Sequence, residues 1–170
     1  MQTLKKITKG IDAISEWTGK TVMVLILGIT LVILYEVVVR DVFAGANIWS
    51  HETSLILFSF YFLIGGAYAL KYEAHVNMDF IYSRLSRRGK AILDLSTFVL
   101  FLVFCIVVIW IGGQEAWQSI AIMERSGSSW RVPKYWFKIP IPIGASLLFL
   151  QGLSKLIRDF HLARTGEDIE

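Results

Sequence analysis

The sequence predicts an all-α integral membrane protein with four transmembrane helices, and three observations carry that prediction. Mean hydropathy is +0.56 and 55% of the residues are apolar, high values for a soluble chain of 170 residues. Four blocks, 21–35, 53–70, 95–114 and 139–154, contain none of the 17 basic and 14 acidic residues. With uncharged or snorkelling flanks, each block reaches or approaches the roughly 20 helical residues needed to cross a hydrocarbon core of about 30 Å. A soluble four-helix bundle is the competing architecture. It would need a charged outer face on its helices, and 95–110 offers none.

The chain reads as a single membrane domain, 1–170. Residues 3–19 come first: Leu4, Ile7, Ile11, Ile14 and Thr18 recur at steps of three and four, with Lys5, Lys6, Lys9, Asp12 and Glu16 on the other side. That pattern predicts an amphipathic helix lying on the inner membrane surface, its lysines over anionic headgroups. The first span, 20–42, is expected to stay in the mature protein, because no small-residue cleavage site follows it. Glu36 interrupts the outer end of this span, and Arg40, four residues on, is placed to pair with it on one helix face.

The second span, 51–71, carries Gly65, Gly66, Ala67 and Ala69 in its inner half, and small residues of this kind let helix backbones approach closely. Packing within the chain and packing on a separate membrane subunit are both open. After it, Val76, Phe80, Ile81 and Leu85 can line a second short surface helix, with Ser86 as an N-cap. The third span, 90–115, ends in another small-residue patch, Gly112, Gly113 and, just beyond, Ala116. The fourth, 138–160, opens with Pro140 and Pro142, which the first turn tolerates because its amides lack intrahelical acceptors. Residues 161–170 form a tail.

Twelve Lys and Arg fall on the side of the two termini and five on the other, so both termini are expected in the cytoplasm. Trp49, Trp117, Trp130 and Trp136 lie near the outer boundary and Trp17 near the inner one, where indole rings favour the interface. The basic residues Arg84, Arg87, Arg88 and Lys90 read as anchors at headgroup level.

Chemistry of its own is not predicted. His51, His75 and His161 sit at or beyond span ends, so no facing pair is available to hold a haem. A single cysteine, Cys105, rules out an internal disulfide and a CxxC pair, and reads as a small core filler. No HExxH, GxSxG or phosphate-binding glycine loop occurs. A stand-alone pump keeps ionisable groups deep in the bilayer, whereas Glu36 is off-centre.

Four runs occur in order: Arg40-Asp41-Val42-Phe43, Ile48-Trp49-Ser50-His51-Glu52, Gly65-Gly66-Ala67-Tyr68-Ala69 and His75-Val76-Asn77-Met78-Asp79-Phe80. Together they resemble the small membrane subunit of tripartite ATP-independent periplasmic (TRAP) transporters, the DctQ type. Where many members carry two acids after the Trp, this chain has His51-Glu52, so Glu52 keeps the match.

The resemblance implies a non-enzymatic stator with no cofactor or substrate site of its own. It would brace a large permease subunit that holds sodium and the substrate, an organic anion handed over by a periplasmic binding protein. On that reading, Glu36, Arg40, Gly65, Gly66, Ala69, Gly112 and Gly113 are candidates for packing on the large subunit. Glu52, Arg125, Arg131 and Lys134 are candidates for docking the binding protein, although Lys134 and Lys138 can instead simply snorkel at the entry of span four. Lys5, Lys6, Lys9, Trp17, Trp49, Arg84, Arg87, Arg88, Trp117 and Trp136 are candidates for anchoring at the membrane surface. Sialic acid and C4-dicarboxylates are both admissible substrates, and the Trp49 and His75 runs look more like sialic-acid members. The alternatives are a self-contained four-span transporter acting as an oligomer and, less favoured, a four-helix membrane enzyme.

Overall fold

The computed structural model describes residues 2–43, 45, 47–72 and 87–165, with the side chains of 2–4, 87, 88 and 91 left aside. The expected surface helix between spans two and three, its Ser86 cap, Arg84 and the end of the tail lie outside the described residues. So do the side chains of Leu4, Arg87 and Arg88. The described chain is helical, in the order α1 (Gln2–Met23), α2 (Leu25–Phe43), α3 (Ile48–Lys71), α4 (Arg87–Ala121), α5 (Tyr135–Lys138) and α6 (Pro140–Thr165).

Four stretches are long and apolar enough to cross a membrane: Lys5–Phe43, Ile48–Lys71, Ile92–Ala121 and Tyr135–Thr165. Their surfaces are apolar nearly all round. On α4, Leu100, Phe104, Trp110 and Ile111 are all exposed, an arrangement that water would penalise and lipid accepts. The first stretch is interrupted at Val24, where Leu27 N donates to Val24 O at 3.2 Å and α1 gives way to α2.

The spans form an open row rather than a closed bundle. α2 packs on α3, α3 on α6 and α6 on α4; among the described residues no comparable packing joins α2 to α6 or α4, or α3 to α4. α1 lies against the C-terminal halves of both α3 and α6. The central helix, α6, is the most buried of the four and is made for two seams. A Cβ at Gly144 would come within 2.4 Å of the Leu63 carbonyl oxygen on α3, and one at Gly152 within 2.2 Å of the Phe101 ring on α4. Gly112 of α4 completes the second seam, because a Cβ there would meet Ile141 at 2.8 Å. Cys105, fully buried on α4, fills the same interface as a small apolar side chain.

Candidate functional site

At the end of the row where α3 and α6 finish, α1 is tied to the other helices by polar side chains. Asp12 accepts hydrogen bonds from Gln151 Nε2 at 3.0 Å and Ser154 Oγ at 3.3 Å, and forms an ion pair with Arg158. Ser15 Oγ donates to Gln151 Oε1 at 2.7 Å, so the Gln151 amide is bonded to α1 through both its oxygen and its nitrogen. Glu16 pairs with Lys20 at 2.7 Å and Lys71 at 2.5 Å, and accepts from Tyr72 Oη at 2.7 Å. Lys155 of α6 pairs with Asp94 of α4. The four helices α1, α3, α4 and α6 are thereby joined by polar side chains at this end.

This arrangement corrects the reading of α1 in one respect. Asp12 and Glu16, grouped from sequence with the lysines, face the other helices, while Ile7 and Ile14 of the apolar side are exposed, as is Trp17. The buried line is Thr8, Ser15, Gly19 and Val22, with Asp12 between the first two, a 4-3-4-3 repeat of small and polar residues. Gly19 is required on this line, because a Cβ would lie 2.3 Å from the Tyr68 ring. The repeat is visible in the sequence, but apolar periodicity conceals it. Lys6 and Lys9 are exposed and Lys5 partly so.

At the opposite end, residues 124–134 fold into a tight hairpin. Lys134 N donates to Glu124 O at 2.8 Å and Ser126 N to Val132 O at 2.8 Å, and Val132 is buried beneath. Met123 and Arg131 adopt positive φ, 51° and 53°, where the chain reverses. Glu124 binds Lys134 and Lys138, each at 2.9 Å, and Lys138 also reaches Glu115 at 3.0 Å. The two lysines, Lys134 first, hold the Glu124 carboxyl down at about 2. Lys134, grouped from sequence with the docking cations, is therefore engaged inside the hairpin base. Arg125 and Arg131 remain exposed, linked by Arg125 Nη1 donating to Arg131 O at 3.3 Å.

Glu52 is also placed differently from the sequence reading. It is buried under the hairpin, where its Oε1 accepts from Ser126 Oγ at 2.8 Å. Arg40 turns to its neighbour Asp41 at 2.9 Å instead of bonding Glu36. Trp49 stacks at a tilt on Tyr35, ring centroids 5.3 Å apart, and Trp117 and Trp136 are exposed.

A groove of about 570 Å³ runs between α1, α3, α4 and α6, its walls almost wholly apolar. Gly65, Gly66 and Ala69 lie on its α3 side, with Phe62 and Phe104 exposed along it. Unlike Gly19 or Gly144, Gly65 and Gly66 are not demanded by the chain's own packing: a Cβ would meet its first neighbour at 4.0 and 3.9 Å. Gly113 faces open space. Gly112, by contrast, is used up in the α4–α6 seam described above, which removes it from the surfaces available to another subunit.

An open row of apolar helices, with its charged groups gathered at the two ends, defines a multi-span membrane protein. The chain belongs to the DctQ component family of tripartite ATP-independent periplasmic transporters, whose family model matches residues 29–162. It is thus a small permease component in a bacterial inner membrane, and not an enzyme. It is 28% identical over 153 residues to the sialic acid TRAP transporter small permease protein SiaQ of Vibrio cholerae serotype O1 (strain ATCC 39315 / El Tor Inaba N16961), covering 90% of this chain and 85% of that one. Over 103 residues it is 30% identical to the sialic acid TRAP transporter permease protein SiaT of Haemophilus influenzae (strain 86-028NP), covering 61% of this chain and 16% of that longer protein.

Proposed function

We propose that this chain is the stator of a sialic-acid-type TRAP transporter, packed beside a large sodium-coupled permease subunit that carries the substrate. The observation that carries this reading is the open row itself. Its polar groups are spent on internal ties at the two ends, and its long faces are left apolar for lipid or another subunit. A second support is the match to a segment amounting to 16% of a longer permease chain, which places a sequence of this kind beside further permease sequence in one polypeptide.

In this reading the groove along Gly65, Gly66 and Ala69 receives the large subunit, and Gly113, facing open space, and Glu36 and Arg40 on α2 belong to the same partner contact. Both termini are cytoplasmic. α1 lies at the inner interface with Ile7, Ile14 and Trp17 in lipid and Lys6 and Lys9 toward headgroups. Trp49, Trp117 and Trp136 hold the outer level. Fixed depth and tilt suit a scaffold against which a transport domain moves. Arg125 and Arg131 face the periplasm and dock the binding protein through complementary charge. Sodium belongs to the large subunit, and no cofactor is needed here.

The test is co-purification in mild detergent from cells expressing both membrane subunits. The large subunit should come down with the tagged chain in equal amount, and Gly66→Leu should abolish this while the chain itself still folds. Recovery of the chain without a companion would reject the reading.

A further inference from the structure

Glu52 is a carboxylate in the second turn of α3 that is about nine-tenths buried, and its Oε2 has no hydrogen-bond partner among the described residues. Its Oε1 accepts the Ser126 hydroxyl at 2.8 Å. A serine has one hydroxyl proton. With that proton given to Glu52, the 2.7 Å contact between Ser126 Oγ and Ser128 Oγ must be donated by Ser128. Ser128 Oγ in turn accepts the backbone N–H of Arg131 at 3.2 Å. The result is a directional relay, Arg131 N–H to Ser128 to Ser126 to Glu52, in which each donor polarises the next and the acceptor-only carboxylate fixes the direction.

The relay runs through the hairpin that displays Arg125 and Arg131. One end holds the backbone of Arg131, a residue in the left-handed region at φ 53°, and its carbonyl accepts from Arg125 Nη1. Left-handed backbone is unfavourable for a non-glycine residue and persists where surrounding bonds fix it. The Arg131 N–H is shared between Ser128 Oγ and the Ser128 carbonyl oxygen at 3.1 Å, so largely buried Glu52 adds a side-chain tie to the backbone bonds that hold the segment carrying both exposed guanidinium groups.

We infer that Glu52 is a positioning residue for docking of an acidic surface on the periplasmic binding protein, acting through Ser126 and Ser128. This rests on the docking role given to Arg125 and Arg131 above. It replaces the direct contact expected of Glu52 with an indirect one, and it makes Ser126 and Ser128 part of the same device.

The experiment uses the complete membrane complex in nanodiscs and measures two things: amide exchange of Ser126 and Arg131, and affinity for the binding protein. Glu52→Ala and Ser126→Ala should each raise exchange at those amides and weaken docking by about tenfold, since a hydrogen bond to a charged group is lost. The double variant should do no more than either single one. Glu52→Gln, whose amide oxygen can still accept from Ser126, should restore both readouts. Ser126→Ala lies in the outer hairpin and keeps the test available if Glu52→Ala does not fold. Unchanged exchange in Ser126→Ala would overturn the relay. Raised exchange with unchanged docking would overturn the assignment and place the fault in the docking role, which Arg125→Glu with Arg131→Glu examines separately.

Discussion

Arg158 of α6 donates to the carboxylate of Asp12 on α1 across 146 positions of sequence, and this ion pair is the inner clasp of the molecule. Without it α1 would still be held by the Ser15–Gln151 hydrogen bond, by Glu16 and by the close packing of Gly19 on Tyr68. Asp12→Ala should therefore free the first turns of α1 while leaving the spans intact. The local cost should be about 1.5–3 kcal/mol, the range for hydrogen bonds to charged groups, and Asp12→Asn should cost less because it can still accept from Gln151 and Ser154. Amide exchange along residues 5–15 in detergent or nanodiscs reads this directly.

The glycines separate into two groups that substitution should distinguish. Gly144→Ala pushes a methyl group within 2.4 Å of the Leu63 backbone, which cannot rotate away, and should destabilise the isolated chain by about 1–3 kcal/mol. Gly65→Ala meets Val22 at 4.0 Å and should leave thermal stability unchanged or raise it by up to about 1 kcal/mol. If the groove receives the large subunit, Gly65→Ala and Gly66→Ala should nevertheless reduce recovery of the complex.

Acid should loosen the outer hairpin. Glu124 titrates from 4.5 in a free carboxyl to about 2 here, so its contribution is full above about 4.5 and is lost as pH falls toward 2. The protection factor of the Lys134 amide, which bonds Glu124 O, should fall over that window and be flat above it. Glu124→Gln should remove the pH dependence.

The membrane spans were legible because a bilayer imposes a one-dimensional rule: charge-free blocks near 20 residues survive as long apolar helices whatever their neighbours. The order of the row was not legible, since it depends on which seams meet, as when Gly144 chooses Leu63 and Gly152 chooses Phe101. On α1 the apolar repeat was legible, but the line that meets protein was not: Asp12 and Glu16 were grouped with the lysines on the polar side, whereas the small and polar line of Thr8, Asp12, Ser15 and Gly19 turns to the other helices. Lys134 and Glu52 were expected to meet a partner. Each instead meets a residue of the hairpin, Glu124 and Ser126, that local spacing does not connect to it.

The inner lysines give a further expectation. If Lys6 and Lys9 meet anionic headgroups, replacing Lys5, Lys6 and Lys9 with Glu should weaken association of α1 with anionic vesicles, most strongly at low salt, and lower uptake by the assembled transporter. Each cation near an anionic surface contributes about 1 kcal/mol, so the triple charge reversal should be easily measured. Unchanged uptake would remove the anchoring role from this segment.

The central claim is that the chain braces a transporter and moves nothing unaided. Purified chain in sodium-loaded and sodium-free proteoliposomes should give no uptake of labelled sialic acid above empty vesicles, while co-reconstitution with the large subunit, sodium and loaded binding protein should restore it. Sustained uptake by the small chain with no companion present would contradict the account.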